Sequence, residues 1–295
     1  LMGIPIPLKE LSPDKNVTKQ VVDGRQRSSA ILAFLEGKFK LNNLRILKQF
    51  NGCCFADLDL KQQGVIEDFQ LLLYMIQPPT AERVKYDIFG RVNRGGTPLN
   101  KQEMRNALYR GRCTRMLDKL CCSPEFLIAT GRSINKERMK DQYVVLRAMA
   151  FLMLHRGEFK DIPALQYRGD IDDFLARFMV YVNDNAPEKL IVDYENLFIR
   201  CMQISYDLLG ENGFRFSGNG IRRPINMPLF EALSYLFSFV PEKIDYTWAS
   251  RLILDIESVK EEFDDSRYFS GNIDSTTSVS FRFDRMDKII NRIQL

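Results

Sequence analysis

From about residue 110 onward, apolar positions recur every three to four residues. This is the period that lines one face of an α-helix. The spacing predicts helices over Lys136–Leu154, Ile171–Val182, Glu188–Leu209, Pro228–Val240, Tyr246–Phe263 and Phe283–Ile293. Gly/Asn-rich Gly210–Gly220 and Ser/Thr-rich Ser270–Ser280 read as loops between them. The front of the chain follows a different pattern. Val17–Val22 is β-branched around Lys19-Gln20 and reads as a strand. It runs into Asp23-Gly24, and Ser28–Glu36 then takes helical spacing (Ile31, Leu32, Phe34, Leu35) up to Gly37. The nearly continuous apolar run Phe69–Ile76 reads as a second, buried strand. A helix follows from Thr80 with Val84, Ile88 and Val92 facing inward, ended by Gly95-Gly96. Asn100 and Glu103 have the spacing of a capping pair for the next helix, Asn accepting the first free amides and Glu reaching back. The expectation is an α+β protein: an α/β domain over residues 1–110 and an all-helical domain over 111–295.

Composition leaves this picture intact and narrows the function classes. The chain has 295 residues, 45% hydrophobic and 27% charged, which is ample for a buried core. Its longest apolar runs, such as Ala148–Leu154, fall far short of a membrane span. Six cysteines include the adjacent pairs Cys53-Cys54 and Cys121-Cys122, which lack the two-to-four-residue spacing of a zinc site. Reduced thiols in a cytoplasmic protein are the expectation. The single histidine, His155, follows the apolar run Phe151–Leu154 and reads as structural. It also excludes a His-rich zinc site or a histidine-metal nuclease centre within these residues. No metal-ligand set is expected.

The net charge of +4 says little, but its distribution says more. Arg83–Arg115 holds nine basic residues against Asp87 and Glu103, an excess of seven charges. Such a stretch forms either a patch that attracts phosphate polyanions or a solvated helical face that binds nothing.

The segment with the clearest chemistry is Asp23-Gly24-Arg25-Gln26-Arg27-Ser28-Ser29. Gly24 suits a tight turn with close approach. The helix behind it starts with unpaired amides and the positive end of its dipole, beside which Arg25, Gln26, Arg27, Ser28 and Ser29 add donors. That is a phosphate-binding arrangement. Asp23 beside it has a role in holding Mg²⁺, orienting water or fixing Arg27, or it simply caps its own helix.

Val21–Ile31 resembles the DGQQR signature of the GmrSD-type restriction endonuclease N-terminal domain family. Asp87–Ala107, reading DIFGRVNRGGTPLNKQEMRNA, resembles that family's second block almost position by position. Weaker likeness runs through Arg222–Ala232 and Phe281–Met286. The resemblance implies a small ParB/sulfiredoxin-like domain that binds and hydrolyses NTPs, with Mg²⁺, in bacterial defence systems that cut modified DNA. It assigns the catalytic roles to Asp23, Gln26 and Arg27 and includes Gly24 in the nucleotide site. Asn93, Gly95, Gly96, Gln102, Glu103, Arg105 and Asn106 become a block supporting or lining that site. From spacing alone the same block is a helix, a Gly-Gly stop and a capped helix, with Arg105 and Asn106 on the surface.

Arg25 stands where the family's first Gln usually sits, and Ser28 where Leu is common. The Pro-x-Tyr-Gln-Arg segment usual in the family is absent ahead of Gly3–Pro7, so the domain is expected to be truncated at its N-terminus. Two other functions follow from the same residues: a non-catalytic DNA-binding or regulatory module, and a docking partner for a separate nuclease.

Overall fold

The computed structural model describes residues 25–72, 84, 88, 99–218, 222–241, 243, 245–269 and 271–293. The chain divides into two compact units, Leu1–Pro98 and Leu99–Leu295.

In the first unit, helix α1 spans Arg25–Leu35 and α2 spans Leu60–Glu67. Helix α1 ends where the sequence predicted. Gly37 takes φ of +70°, and the amides of Gly37 and Lys38 donate to the carbonyls of Phe34 and Ala33 at 2.9 and 2.8 Å. This double bond pattern at a left-handed glycine closes the free carbonyls of the last turn. Helix α2 starts at a capping box in which the Asp59 carboxylate accepts from the Gln62 amide at 2.7 Å and the Gln62 side chain accepts from the Asp59 amide at 3.2 Å. Phe34 is the apolar anchor of α1, buried against Phe39 and Phe55 with ring centroids 5.6 and 5.9 Å away.

Among the described residues every regular element is helical and there is no strand, which overturns the α+β, ParB/sulfiredoxin-like expectation. The strand expected at Val17–Val22 lies outside the described residues. Of the strand expected at Phe69–Ile76, residues 69–72 are irregular, with Phe69 and Leu72 about two-thirds exposed, and the rest lies outside the described residues. A short apolar run does not by itself distinguish a strand from a chain leaving a helix, and here it follows directly on α2. Val84 and Ile88 are helical, but both are exposed rather than inward-facing.

The second unit is a helical body. Its elements are α3 (Lys101–Leu108), α4 (Arg112–Cys121), α5 (Pro124–Ala129), α6 (Lys140–His155), α7 (Ile171–Asp184), α8 (Glu188–Leu209), α9 (Met227–Phe237), α10 (Tyr246–Asp264) and α11 (Thr276–Ile293). Helices α6 and α9 pack on each other and are apolar around most of their circumference, with Val144–Met153 and Pro228–Phe237 buried throughout. A helix apolar on all sides belongs at the centre, and α4, α7, α8 and α11 surround this pair.

Two differences from the expected boundaries have local causes. Helix α11 begins at Thr276, inside the stretch read as a loop. The Ser275 hydroxyl accepts from the Ser278 amide at 3.1 Å, so the Ser/Thr cluster is a helix cap. Helix α6 begins at Lys140 because Arg138 and Met139 both adopt left-handed backbone, φ 56° and 58°, after a 3-10 turn at Glu137–Met139. No helix of the described residues is long and apolar enough to cross a membrane.

Candidate functional site

Asp23 and Gly24 lie outside the described residues, and α1 is described from Arg25 onward. Arg25 and Gln26 lie on the helix, Arg27 and Ser29 are exposed, and Ser28 is buried. No acidic residue occupies the first turn. The first amides of a helix have no partner within it, and the dipole adds partial positive charge there. Exposed Arg27 and Ser29 beside that end suit an anionic oxygen better than a cation. No group of three His, Cys, Asp or Glu residues among the described positions could hold a metal.

In the second block, Asn93, Gly95 and Gly96 also lie outside the described residues. Gln102, Glu103, Arg105 and Asn106 all sit on α3, in the second unit. The capping pair forms as the spacing predicted. The Asn100 side chain accepts from the amides of Gln102 and Glu103 at 2.8 and 2.9 Å, and Glu103 accepts from the Asn100 amide at 2.6 Å.

Spacing alone put Arg105 on the surface, yet it is fully buried. Its guanidinium pairs with Asp172 at the start of α7, donates to Gln102 Oε1 at 2.8 Å and lies 5.3 Å from the centre of the Tyr143 ring. Gln102 in turn donates to Asn106 Oδ1 at 2.8 Å, Asn106 donates to Gln142, and Gln142 donates to Asp118 at 2.7 Å. A charge buried without partners is costly, so the guanidinium fixes where α3 can sit on α6 and α7.

The same helix holds the strained entry to α6. Asn100 Nδ2 donates to the Arg138 carbonyl at 2.7 Å, Arg138 pairs with Glu103 at 2.9 Å, and Asn106 Nδ2 donates to Met139 Sδ at 3.2 Å. Left-handed backbone costs a residue with a side chain about 1–2 kcal/mol. Three side chains of α3 and its cap thus meet two adjacent residues in that conformation. The Arg138 guanidinium, and after it the Asn100 amide, lowers the pKa of Glu103 and keeps it ionised for this contact.

Five of the nine cations in the basic stretch lie among the described residues. Arg83, Lys85, Arg91 and Arg94 lie outside the described residues. Lys101 and Arg105 share Asp172. Arg112 donates to the carbonyls of Val182 and Ala186, the first at 2.8 Å, near the C-terminal end of α7 where carbonyls lack helical partners. Arg110 and Arg115 remain exposed.

A further charged feature lies outside the two main motifs. Glu231 on α9 is fully buried between Arg147 of α6 and Arg282 of α11. Arg147 also reaches Asp274 at 2.7 Å and the Tyr143 hydroxyl at 3.1 Å. The weaker family-like segments Arg222–Ala232 and Phe281–Met286 therefore meet at Glu231 and Arg282, 3.0 Å apart. That pairing was the available sequence signal for the network. His155 stacks on Phe283 with centroids 3.5 Å apart and planes within 7°. Burial first, and the charge of Arg282 second, pushes its pKa down to about 3. It is a neutral core residue, as its setting in the sequence suggested. The thiols of Cys113, Cys121 and Cys201 are buried, and burial pushes their pKa values up, away from reactivity.

The described residues are thus helical, with Arg27 and Ser29 exposed near the described start of α1 in the first unit and a polar α3 locked into the second. Residues 1–110, covering that helix start and all of α3, match the family described as GmrSD restriction endonuclease, N-terminal domain. The match covers 110 of the 295 residues, so it is the front portion that is similar to this restriction-endonuclease domain family. No curated protein and no solved structure matches the chain.

Proposed function

We propose that this protein is a nucleotide-binding module of a DNA restriction system aimed at modified phage DNA, with NTP hydrolysis at the Asp23–Ser29 turn. The observation that supports it best is that the chain is helical from Arg25 onward, next in sequence to Asp23-Gly24, with Arg27 and Ser29 exposed, within the 110 residues that match the family. Arg27 and Gln26 hold phosphate oxygens together with the first-turn amides, and Gly24 permits their close approach. Asp23 would hold a Mg²⁺ ion brought with the nucleotide phosphates, which would supply charge neutralisation there, because magnesium sites commonly combine one carboxylate with substrate oxygens. Gln26 orients the attacking water, and Arg27 stabilises charge on the transferred phosphoryl group. Arg25 adds positive charge to phosphate binding where the family usually has Gln.

DNA cleavage is supplied by a nuclease domain or subunit outside these 295 residues. The lone histidine, His155, is half-buried and stacked on Phe283 with its Nε2 enclosed, a setting unsuited to a histidine-metal centre.

Isothermal titration of the folded chain with each of the four common NTPs and Mg²⁺ tests this reading. One nucleotide should bind, and Arg27→Ala should weaken it about ten- to a hundredfold, the worth of a charge-assisted contact. Absence of heat with all four removes the proposal.

A further inference from the structure

The helical unit carries a second concentration of positive charge, separate from the Asp23–Ser29 turn in sequence. A cleft of about 620 Å³ lies beside the end of α8 and the middle of α10, lined by Glu211, Arg215, Arg222, Arg223, Glu257 and Lys260, among others. Its volume is in the range of small-ligand pockets. Four cations face two carboxylates in this lining, and Asp264 beside Arg223 supplies a third.

Arg215 is the unusual member. It is 5% exposed, and its guanidinium donates to the carbonyls of Glu211 at 3.4 Å, Thr130 at 3.3 Å and Arg223, and to the Ser133 hydroxyl. Every one of these acceptors is neutral. They orient the guanidinium without cancelling its charge at contact. Burial, and after it the charge of Arg222, pulls the pKa of Arg215 down, the direction that a nearby anion would reverse.

The other three cations are paired in ways that differ in exchangeability. Arg223 is held by Asp264 and by the Ser217 carbonyl at 3.2 Å, with its guanidinium 5.4 Å from the centre of the Phe216 ring. The Lys260 amine is buried and pairs with Glu257 at 2.8 Å. Arg222 meets Glu211 at 2.9 Å, with both side chains about half exposed. An exposed pair of that kind contributes little, so an incoming anion can replace Glu211 at low cost. Gly131, at φ +58°, leaves the space that Arg222 Nη2 and the Glu211 carboxylate fill, because a Cβ there would overlap both.

We propose that this cleft is a second anion site that takes a phosphate-bearing ligand, either a free nucleotide or the backbone of a nucleic acid, through Arg215 and Arg222. Arg223 and Lys260 supply the surrounding positive field. The proposal does not rest on the nucleotide turn.

The test uses the full chain carrying Arg27→Ala, so that the front turn does not dominate the signal. Pyrophosphate, a mononucleotide and a short oligonucleotide are titrated in turn at several salt concentrations. At least one should bind, and the added substitution Arg222→Glu, at an exposed position, should weaken it about tenfold or more with the circular dichroism spectrum unchanged. Arg215→Lys keeps the charge but loses the fork and should also weaken binding. Binding of pyrophosphate and mononucleotide with shallow salt dependence identifies a free nucleotide. Binding of the oligonucleotide alone, falling steeply with salt, identifies a nucleic-acid backbone. Equal affinity with and without Arg222→Glu, or no binding of any of the three, overturns the proposal.

Discussion

Glu231→Gln removes one negative charge from the most enclosed ionic cluster among the described residues. Glu231, Arg147 and Arg282 are each at most 1% exposed, and Asp274 joins at the edge. With two guanidinium and two carboxylate groups the cluster is neutral. The substitution leaves a net positive charge in the core and can turn an amide donor toward a guanidinium donor. Arg147 keeps Asp274 and Tyr143, whereas Arg282 keeps only the Ile273 carbonyl at 2.6 Å, and its Nε has no partner. Breaking a buried pair from one side costs about 3–5 kcal/mol, and the remaining Asp274 argues for the lower end, about 3 kcal/mol. Against a typical stability of about 5–15 kcal/mol this is a large loss. Urea unfolding followed by the fluorescence of Trp248, the one tryptophan in the chain, reports on the helical unit. At a slope of about 3 kcal/mol per M, the midpoint should drop by about 1 M. The triple variant Glu231→Leu, Arg147→Met, Arg282→Leu should recover much of that loss, because apolar packing then replaces the ions. A midpoint for Glu231→Gln within about 0.3 M of the parent would refute the assignment of the cluster as a fully desolvated ionic centre.

Arg105→Leu should cost about 2–4 kcal/mol in the same assay, since it strands Gln102 and leaves Asp172 to the exposed Lys101. A surface arginine would give a change of about 0.5 kcal/mol or less, which is the result that would remove the anchoring role. His155 makes stability fall with acid. Its folded pKa of about 3 lies below the ordinary value of 6.5, so the unfolded chain binds the proton first. The neutral form's advantage is full above pH 6.5 and is lost as pH falls toward 3, by about 2–3 kcal/mol between pH 6.5 and 4.5. His155→Gln should flatten that part of the stability profile, and an unchanged slope would count against a neutral buried imidazole.

Helix α8 is predicted from the sequence at its observed bounds, Glu188–Leu209, because its apolar period and the Gly/Asn-rich segment that opens at Gly210 are local signals. The same holds for the Gly37 stop of α1 and the Asn100–Glu103 cap of α3. Local patterning failed where the deciding partner is distant in sequence. The apolar run at Phe69 carries no information on whether a second strand exists to pair with it, and none is found among the described residues. Nothing near Arg105 shows that Asp172 will meet it, 67 positions later. The family motifs point to Asp23–Ser29 as the candidate chemistry, and of that segment Arg25–Ser29 lie on α1. The ionic centre on Glu231 and the cleft around Arg215 depend wholly on tertiary structure. Helical periodicity determines which side chains share a face, but the charge that each buried guanidinium meets is decided only when helices from remote parts of the chain pack together.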